Sequence, residues 1–421
     1  MKCLLYIFFS IVFFHHFILA QQKEIDAIKK SGILVSLNDL QSIHYPLEAD
    51  ISEKNAAFFF NKAFALIGDS DFALLQKKME ESPFSEETQK EIARYIEENK
   101  DILEVVYKGT QMSYCRFPID LTKGYYAVLP PLVKVRKGMF LLQGKAMIHI
   151  AKKETQEAVD TVLALFSYSR FISEVPVIIC NMIGISIQAN ALSTLEILLS
   201  HASLSKSDLL RLSKSIQQTN KNTYLEKGLI GELCTGIQIF QLVEAGQYVQ
   251  ELGTEKLGLW WYKITGKFHK DYSFYLGSMH HTIQLVRRPI PVRIAGLPNL
   301  EKFFKEVEGY QISSLLLPNL HSFIQTDIQS YAKGEIALLA LAIEAYRLEK
   351  NGLPEKLQDL DRAYFSDLPQ DPYSKGDFVY NPKEASYKIY SFGPNQKDDN
   401  GISKKEAGSS NDWDIVFSVK H

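Results

Sequence analysis

Between about Val135 and Gln250 the apolar residues recur at helical spacing, in segments too long for strands and separated by short polar breaks. That pattern confines the middle of the chain to antiparallel helices packed as hairpins. Val135 to Ala151 and Glu154 to Phe171 read as two helices joined by a polar turn at Lys152 and Lys153. Pro176 opens a third helix, which ends near Ala202. Ser205, with Asp208 three residues on, reads as the cap of a fourth. Glu226 to Gln250 forms a fifth. Val175 to Ile187 is the most apolar internal run, but Asn181, Gln188 and Asn190 mark a buried helix rather than a membrane span.

Residues 51–67 place Ala57, Phe60, Ala63, Phe64 and Ile67 on one helical face, and Ser85 starts another amphipathic stretch reaching Gly109. Gly124 to Pro131 breaks the pattern. No fixed period appears. Gly144 and Ala158 have the residue types of a tetratricopeptide unit at the wrong spacing, so the array is irregular and solenoid-like. Trp260, Trp261 and Tyr262 are expected in the core. Arg287, Arg288 and Arg293, interleaved with Pro289 and Pro291, read as an exposed connector. His280 and His281 are adjacent and cannot face one metal from a single helix.

Lys2, the apolar run from Cys3 to Ala20 and the polar residues from Gln21 onward form a signal peptide or N-terminal anchor over residues 1–20. Cleavage after Ala20 and retention as a membrane anchor through residues 3–20 both stay open. His15 and His16 inside the run favour transient passage. In either case the rest of the chain is exported, to a periplasmic or extracellular site. Export leaves Cys115, Cys180 and Cys234, an odd number, and the last two read as small buried apolar residues.

Of 421 residues, 46% are apolar and 23% charged, which fits a folded globular protein. With 47 basic against 49 acidic residues, no basic excess points to nucleic acid. Walker, nucleophile-elbow and HExxH patterns are absent from the sequence. Enzymatic activity therefore stays open, with no positive argument for it and a leaning toward a non-catalytic role.

The text changes character at Gly334, where an amphipathic helix begins that Asn351, Gly352 and Pro354 stop. Three short alternating segments follow: residues 377–381, 386–392 and 413–419, the first two separated by Asn381-Pro382. The expected architecture is mainly α, an irregular α-hairpin array over 21–333, followed by a small α+β domain over 334–421. The loop from Gly393 to Asp412 has Ile402 as its only large apolar residue. Asn395, Asp398, Asp399, Asn400, Asp412 and Asp414 supply the oxygen donors that a hard cation such as Ca²⁺ prefers.

Leu368-Pro369-Gln370-Asp371-Pro372-Tyr373, then Phe378-Val379-Tyr380, resemble the signature of major pseudopilins of type II secretion. Tyr390 to Asn395 resembles their Ser-x-Gly-x-Asp/Asn turn, and Asp412-Trp413-Asp414-Ile415 their closing element. The resemblance covers about residues 334–421 and implies a pseudopilin-like fold with Ca²⁺ in this loop. By resemblance the ligands fall on Phe392, Asn395, Asp412 and Asp414, and the extra loop residues bring in Asp398 or Asp399. The N-terminus lacks a prepilin-peptidase site, so the chain is not a pilus subunit. Its helical part resembles large exported bacterial proteins that end in the same module. The implied role is an exported, non-catalytic scaffold or binding protein that takes a protein or peptide on its helical surface. The alternatives are a membrane-anchored accessory component of a type II secretion-like system, and an enzyme of unrecognised type in the helical domain.

Overall fold

A computed structural model describes residues 19–47, 52–68, 76–79, 85–220, 223–247, 256–317, 320–365, 367–374 and 376–420. Of the apolar run from Cys3 to Ala20, residues 3–18 lie outside them, and its last two positions, Leu19 and Ala20, already belong to helix α1 (19–30).

Side-chain caps set many of the helix starts. Asn55 is fully buried and caps α2 (Ala56–Leu66), its Oδ1 accepting from Ala57 N at 3.0 Å. The same side chain bonds the main chain of Arg116 in both directions, at 2.8 Å each, so one residue caps a helix and fastens a segment distant in sequence. Ser85 caps α3 (Glu86–Glu98). The stretch expected to run on to Gly109 instead breaks at Asn99, and α4 (Lys100–Thr110) follows. Asn99 donates its side-chain amide to Tyr95 O at 2.9 Å and offers the backbone an alternative to helical continuation.

The hairpin array consists of α5 (Leu132–Ala151), α6 (Thr155–Ser173), α7 (Ile178–His201), α8 (Lys206–Thr219) and α9 (Thr223–Glu244). Helix α6 packs against α5, α7 and α8, while α9 packs against α7. A Cβ at Gly184 of α7 would sit 3.0 Å from Ser173 Cβ and 3.1 Å from the Ser169 carbonyl oxygen, so glycine here lets α6 and α7 approach closely. Cys115, Cys180 and Cys234 are buried, and burial pushes the last two thiols up to about 12.

Helices α10 (Lys256–Ile264), α11 (Lys267–Val286) and α12 (Ile290–Lys305) complete this part. One expectation fails here and a second holds only in part. Trp260 and Trp261 are 54% and 55% exposed, and only Tyr262 is buried. Consecutive residues on a helix point about 100° apart, so three cannot share the core-facing position. Tyr262 occupies it because its hydroxyl finds buried Asp271, donating at 2.7 Å. The arginine-proline stretch is an exposed connector only as far as Pro289: Arg287, Arg288 and Pro289 are exposed between α11 and α12, whereas Pro291 and Arg293 already lie within α12. Pro289 precedes the first turn of α12, where a missing N–H costs nothing. Arg293 is buried, donates to Arg288 O at 2.7 Å and lies 3.6 Å from Asp327.

Helix α13 (Leu320–Lys350) begins well before Gly334, where the C-terminal unit was expected to open. A Cβ at Gly334 would lie 2.9 Å from the Asn220 side chain, so this glycine marks a close helix crossing. The sheet has strand order β1 (Val379–Lys383), β2 (Ser386–Ser391), β3 (Ile415–Val419), all antiparallel. Asn381 and Pro382 pair inside β1 and do not separate strands. An edge strand tolerates a proline that cannot donate to a ladder. Tyr387, Ile389, Phe417 and Val419 are buried on one face of the sheet. The Tyr387 hydroxyl donates to Glu344 Oε1 at 2.8 Å, tying β2 to α13. The molecule is thus mostly helical with a small antiparallel sheet near its C-terminus. One continuous set of buried residues joins the two, from Ile28 to Val419.

Candidate functional site

The loop between β2 and β3 holds every residue singled out as a metal ligand. Its entrance is fixed by Asp371, from the Asp-Pro-Tyr turn, which is 1% exposed. Asp371 Oδ1 accepts from Tyr373 N at 3.0 Å and from Ser391 Oγ at 2.5 Å. Its Oδ2 accepts from Ser374 N at 3.2 Å and Phe392 N at 3.1 Å. One carboxylate therefore joins a tight turn to the last residue of β2. Gly393 follows at φ +66°, and a Cβ there would meet the Trp413 carbonyl at 2.9 Å. A side chain at this position would push the two ends of the loop apart.

Inside the loop, Asn395 Oδ1 accepts from Lys397 N at 3.0 Å, and its amide donates to Asp399 Oδ2 at 2.8 Å and Asn411 O at 3.2 Å. Asp398 Oδ1 accepts from Tyr390 Oη at 3.1 Å and Asn400 N at 2.8 Å. Asp414 closes the loop at 1% exposure. Its Oδ2 accepts from Gly401 N at 2.7 Å and its Oδ1 from Asp399 N at 3.4 Å. Burial raises the Asp414 pKa, and these two amide bonds act against that rise. Lys388 Nζ adds a bond to Gly401 O at 2.8 Å from the neighbouring strand.

The structure thus brings Asn395, Asp398, Asp399 and Asp414 into one hydrogen-bonded loop. Asp412 is exposed and bonds Ser410, its Oδ2 accepting from the hydroxyl at 3.0 Å. Phe392 contributes its main-chain N–H to Asp371 while its ring packs on the core. The donor chemistry suits Ca²⁺ at Asn395, Asp398 and Asp399, whose oxygens are hard and anionic or carbonyl-like. Both Asp414 oxygens are engaged by backbone amides, which makes it an anchor of the loop. Among the described residues no three histidine, cysteine or acidic side chains converge as a metal-holding group.

Two elements of this region escape the sequence reading. Asp371 sits within the Asp-Pro-Tyr signature, but its partners Ser391 and Phe392 are remote in sequence. The loop also contains a one-turn helix, α14 (Lys404–Ala407), closed by a reciprocal capping box between Ser403 and Glu406. The S-x-x-E signal was present at Ser403 to Glu406 and could have located it. No protein-family model, curated protein or solved structure matches the chain.

Proposed function

We propose that the chain is an exported, non-catalytic scaffold or binding protein whose pseudopilin-like C-terminal region is stabilised by Ca²⁺. The observation that carries the calcium reading is the loop itself. It is pinned at both ends by buried aspartates, Asp371 and Asp414, and its middle carries Asn395, whose amide meets Asp399, with Asp398 adjacent in sequence. The order of elements also supports the likeness to major pseudopilins: a long helix, an Asp-Pro-Tyr turn, then three antiparallel strands with the loop before the last. When bound, the ion would neutralise carboxylates that otherwise repel one another across the loop. Residues Asn395, Asp398 and Asp399 would hold it, and Asp414 would keep the backbone of residues 399–401 in place for it.

An ion that binds only the folded chain adds about 2.7 kcal/mol at a hundredfold excess over its dissociation constant. Melting in millimolar calcium and in chelator tests this. The melting temperature is expected to rise with calcium, and Mg²⁺ to substitute poorly. Asp398→Ala with Asp399→Ala should abolish the rise. Asp412→Ala should leave it unchanged, because Asp412 faces Ser410. Asp414→Ala should lower stability in both buffers. Identical wild-type curves in calcium and chelator would remove the ion from this reading.

A retained anchor, the second reading, draws support from α1, which runs unbroken through Ala20 and Gln21. Gln21 is buried, and its amide bonds His269 Nδ1 at 3.1 Å. Intact mass of protein from the membrane fraction tests it. A mature chain beginning at Gln21 would rule the anchor out.

A further inference from the structure

A cleft of about 990 Å³ opens between α7 and the C-terminal sheet. Its floor is apolar, with Ile185, Leu192 and Ile197 from α7 facing Ile415 and Val416 of β3. Its rim is basic, with Lys333, Lys388, Lys404, Lys405 and Lys420 contributed by four different parts of the fold.

Three carboxylates share the wall, and each is already satisfied from within. Glu196 Oε1 accepts from Ser418 N at 2.8 Å, and its Oε2 lies 3.9 Å from Lys333 Nζ. Glu406 Oε2 accepts from Ser403 N at 2.7 Å in the capping box. Asp414 is held by Gly401 N and Asp399 N. The lysines are in excess. Lys404 Nζ lies 5.2 Å over the Trp413 ring, and among the described residues neither Lys404 nor Lys420 enters an ion pair.

The edge of β3 shapes the floor. Ser418 N donates to Glu196, Lys420 N to Ser200 Oγ at 3.2 Å, and Asp414 N to Ile402 O at 2.7 Å. In an antiparallel ladder alternate residues turn their N–H and C=O to the same side. Val416 therefore presents its main-chain donor and acceptor outward with these residues, and Val416 itself lines the cleft. The cleft is open to solvent, whereas small-molecule sites enclose most of their ligand. An extended chain suits such a trough, because its side chains alternate between two faces.

We propose that this cleft binds an extended acidic peptide segment of a partner protein. The partner's carboxylates meet Lys404 and Lys420, its apolar side chains lie on the α7–β3 floor, and its main chain meets Val416. This names the partner class for the binding role given above, and rests on that role without using the calcium ion.

The test uses the full exported chain and a fluorescein-labelled hexapeptide alternating glutamate with valine, read by fluorescence anisotropy in calcium and in chelator. A lysine–valine peptide and decanoate serve as comparison probes. The acidic peptide is expected to bind at least tenfold more tightly than the basic one, and more weakly as salt is raised. Lys404→Glu with Lys420→Glu should cost a further tenfold or more while circular dichroism stays unchanged. Ala189→Trp, which fills the floor without altering charge, should also weaken binding. Equal affinity for the two peptides, indifference to charge reversal, or no binding at millimolar peptide would each overturn the proposal. Decanoate binding where the peptide does not would also overturn it, in favour of a small amphiphilic acid. Peptide binding in both buffers supports the cleft whatever the melting curves show, so the cleft and the calcium readings fail separately.

Discussion

Glu335 shows how a single side chain writes a pH dependence into the fold. It sits mid-way along α13, where its Oε1 accepts from Asn220 Nδ2 at 2.8 Å. Asn220 is the C-cap residue of α8, so the bond joins two helices at the crossing that Gly334 permits. Burial pushes the Glu335 carboxyl up to about 7, and the Asn220 bond pulls the other way without cancelling it. The unfolded chain holds this proton only below its ordinary value near 4.5. Between those values the folded chain binds more protons than the unfolded one, so stability is full below about 4.5 and falls as pH rises through 7. Glu335→Gln keeps an acceptor for Asn220 and removes the charge. It is expected to stabilise the protein at pH 8 by on the order of 2 kcal/mol, with no gain near pH 4. Urea unfolding at both pH values checks this, and a gain of equal size at each would show that charge burial is not the cause.

At the scale of elements, joints between secondary structures are held by buried polar side chains, and these are the features hardest to read in advance. Asp371 is the clearest case. Removing its carboxylate leaves four donors from Tyr373, Ser374, Ser391 and Phe392 without their acceptor. Unsatisfied buried donors cost about 1–3 kcal/mol each, so Asp371→Ala should destabilise by at least about 3 kcal/mol. Amide exchange at Phe392 should accelerate accordingly, and unchanged exchange there would show that the turn is held by other means. The helices themselves were legible because their caps and periodicity are local: Ser85, Ser205 and the turn at Lys152 fall where expected. The early start of α13 was not, because residues 321–333 are largely polar and their burial depends on α7, α8 and α12. The oxygen-rich stretch from Asn395 to Asp399 was visible from composition. Asp412 was grouped with Asp414 by proximity in sequence, yet the chain turns it toward Ser410 before β3 begins.

At the scale of the whole molecule, the contrast between a helical array and a C-terminal sheet suggests two units, but the packing runs continuously between them. Helix α13 serves both sides. Its Glu344 meets Tyr387 of β2, while Lys333 and Glu335 meet residues of α7 and α8. Glu196 and Ser200 of α7 in turn accept from Ser418 N and Lys420 N on the outer edge of β3, which covers that part of the edge and leaves Val416 to the cleft. Separating the two parts would expose apolar faces on both and leave these polar groups unmatched. A single cooperative transition is therefore expected. The three tryptophans allow a direct reading, because Trp260 and Trp261 lie on α10 and Trp413 lies beside β3. Trp413→Phe leaves fluorescence that reports the helical part alone. The double change Trp260→Phe with Trp261→Phe leaves fluorescence that reports the C-terminal loop alone, and the exposure of that pair makes the change mild. Both variants should give the same urea midpoint by fluorescence and by circular dichroism, as two-state unfolding requires. A Trp413 signal that melts at lower urea, with helical circular dichroism still intact, would show that the sheet and its loop unfold as a unit of their own.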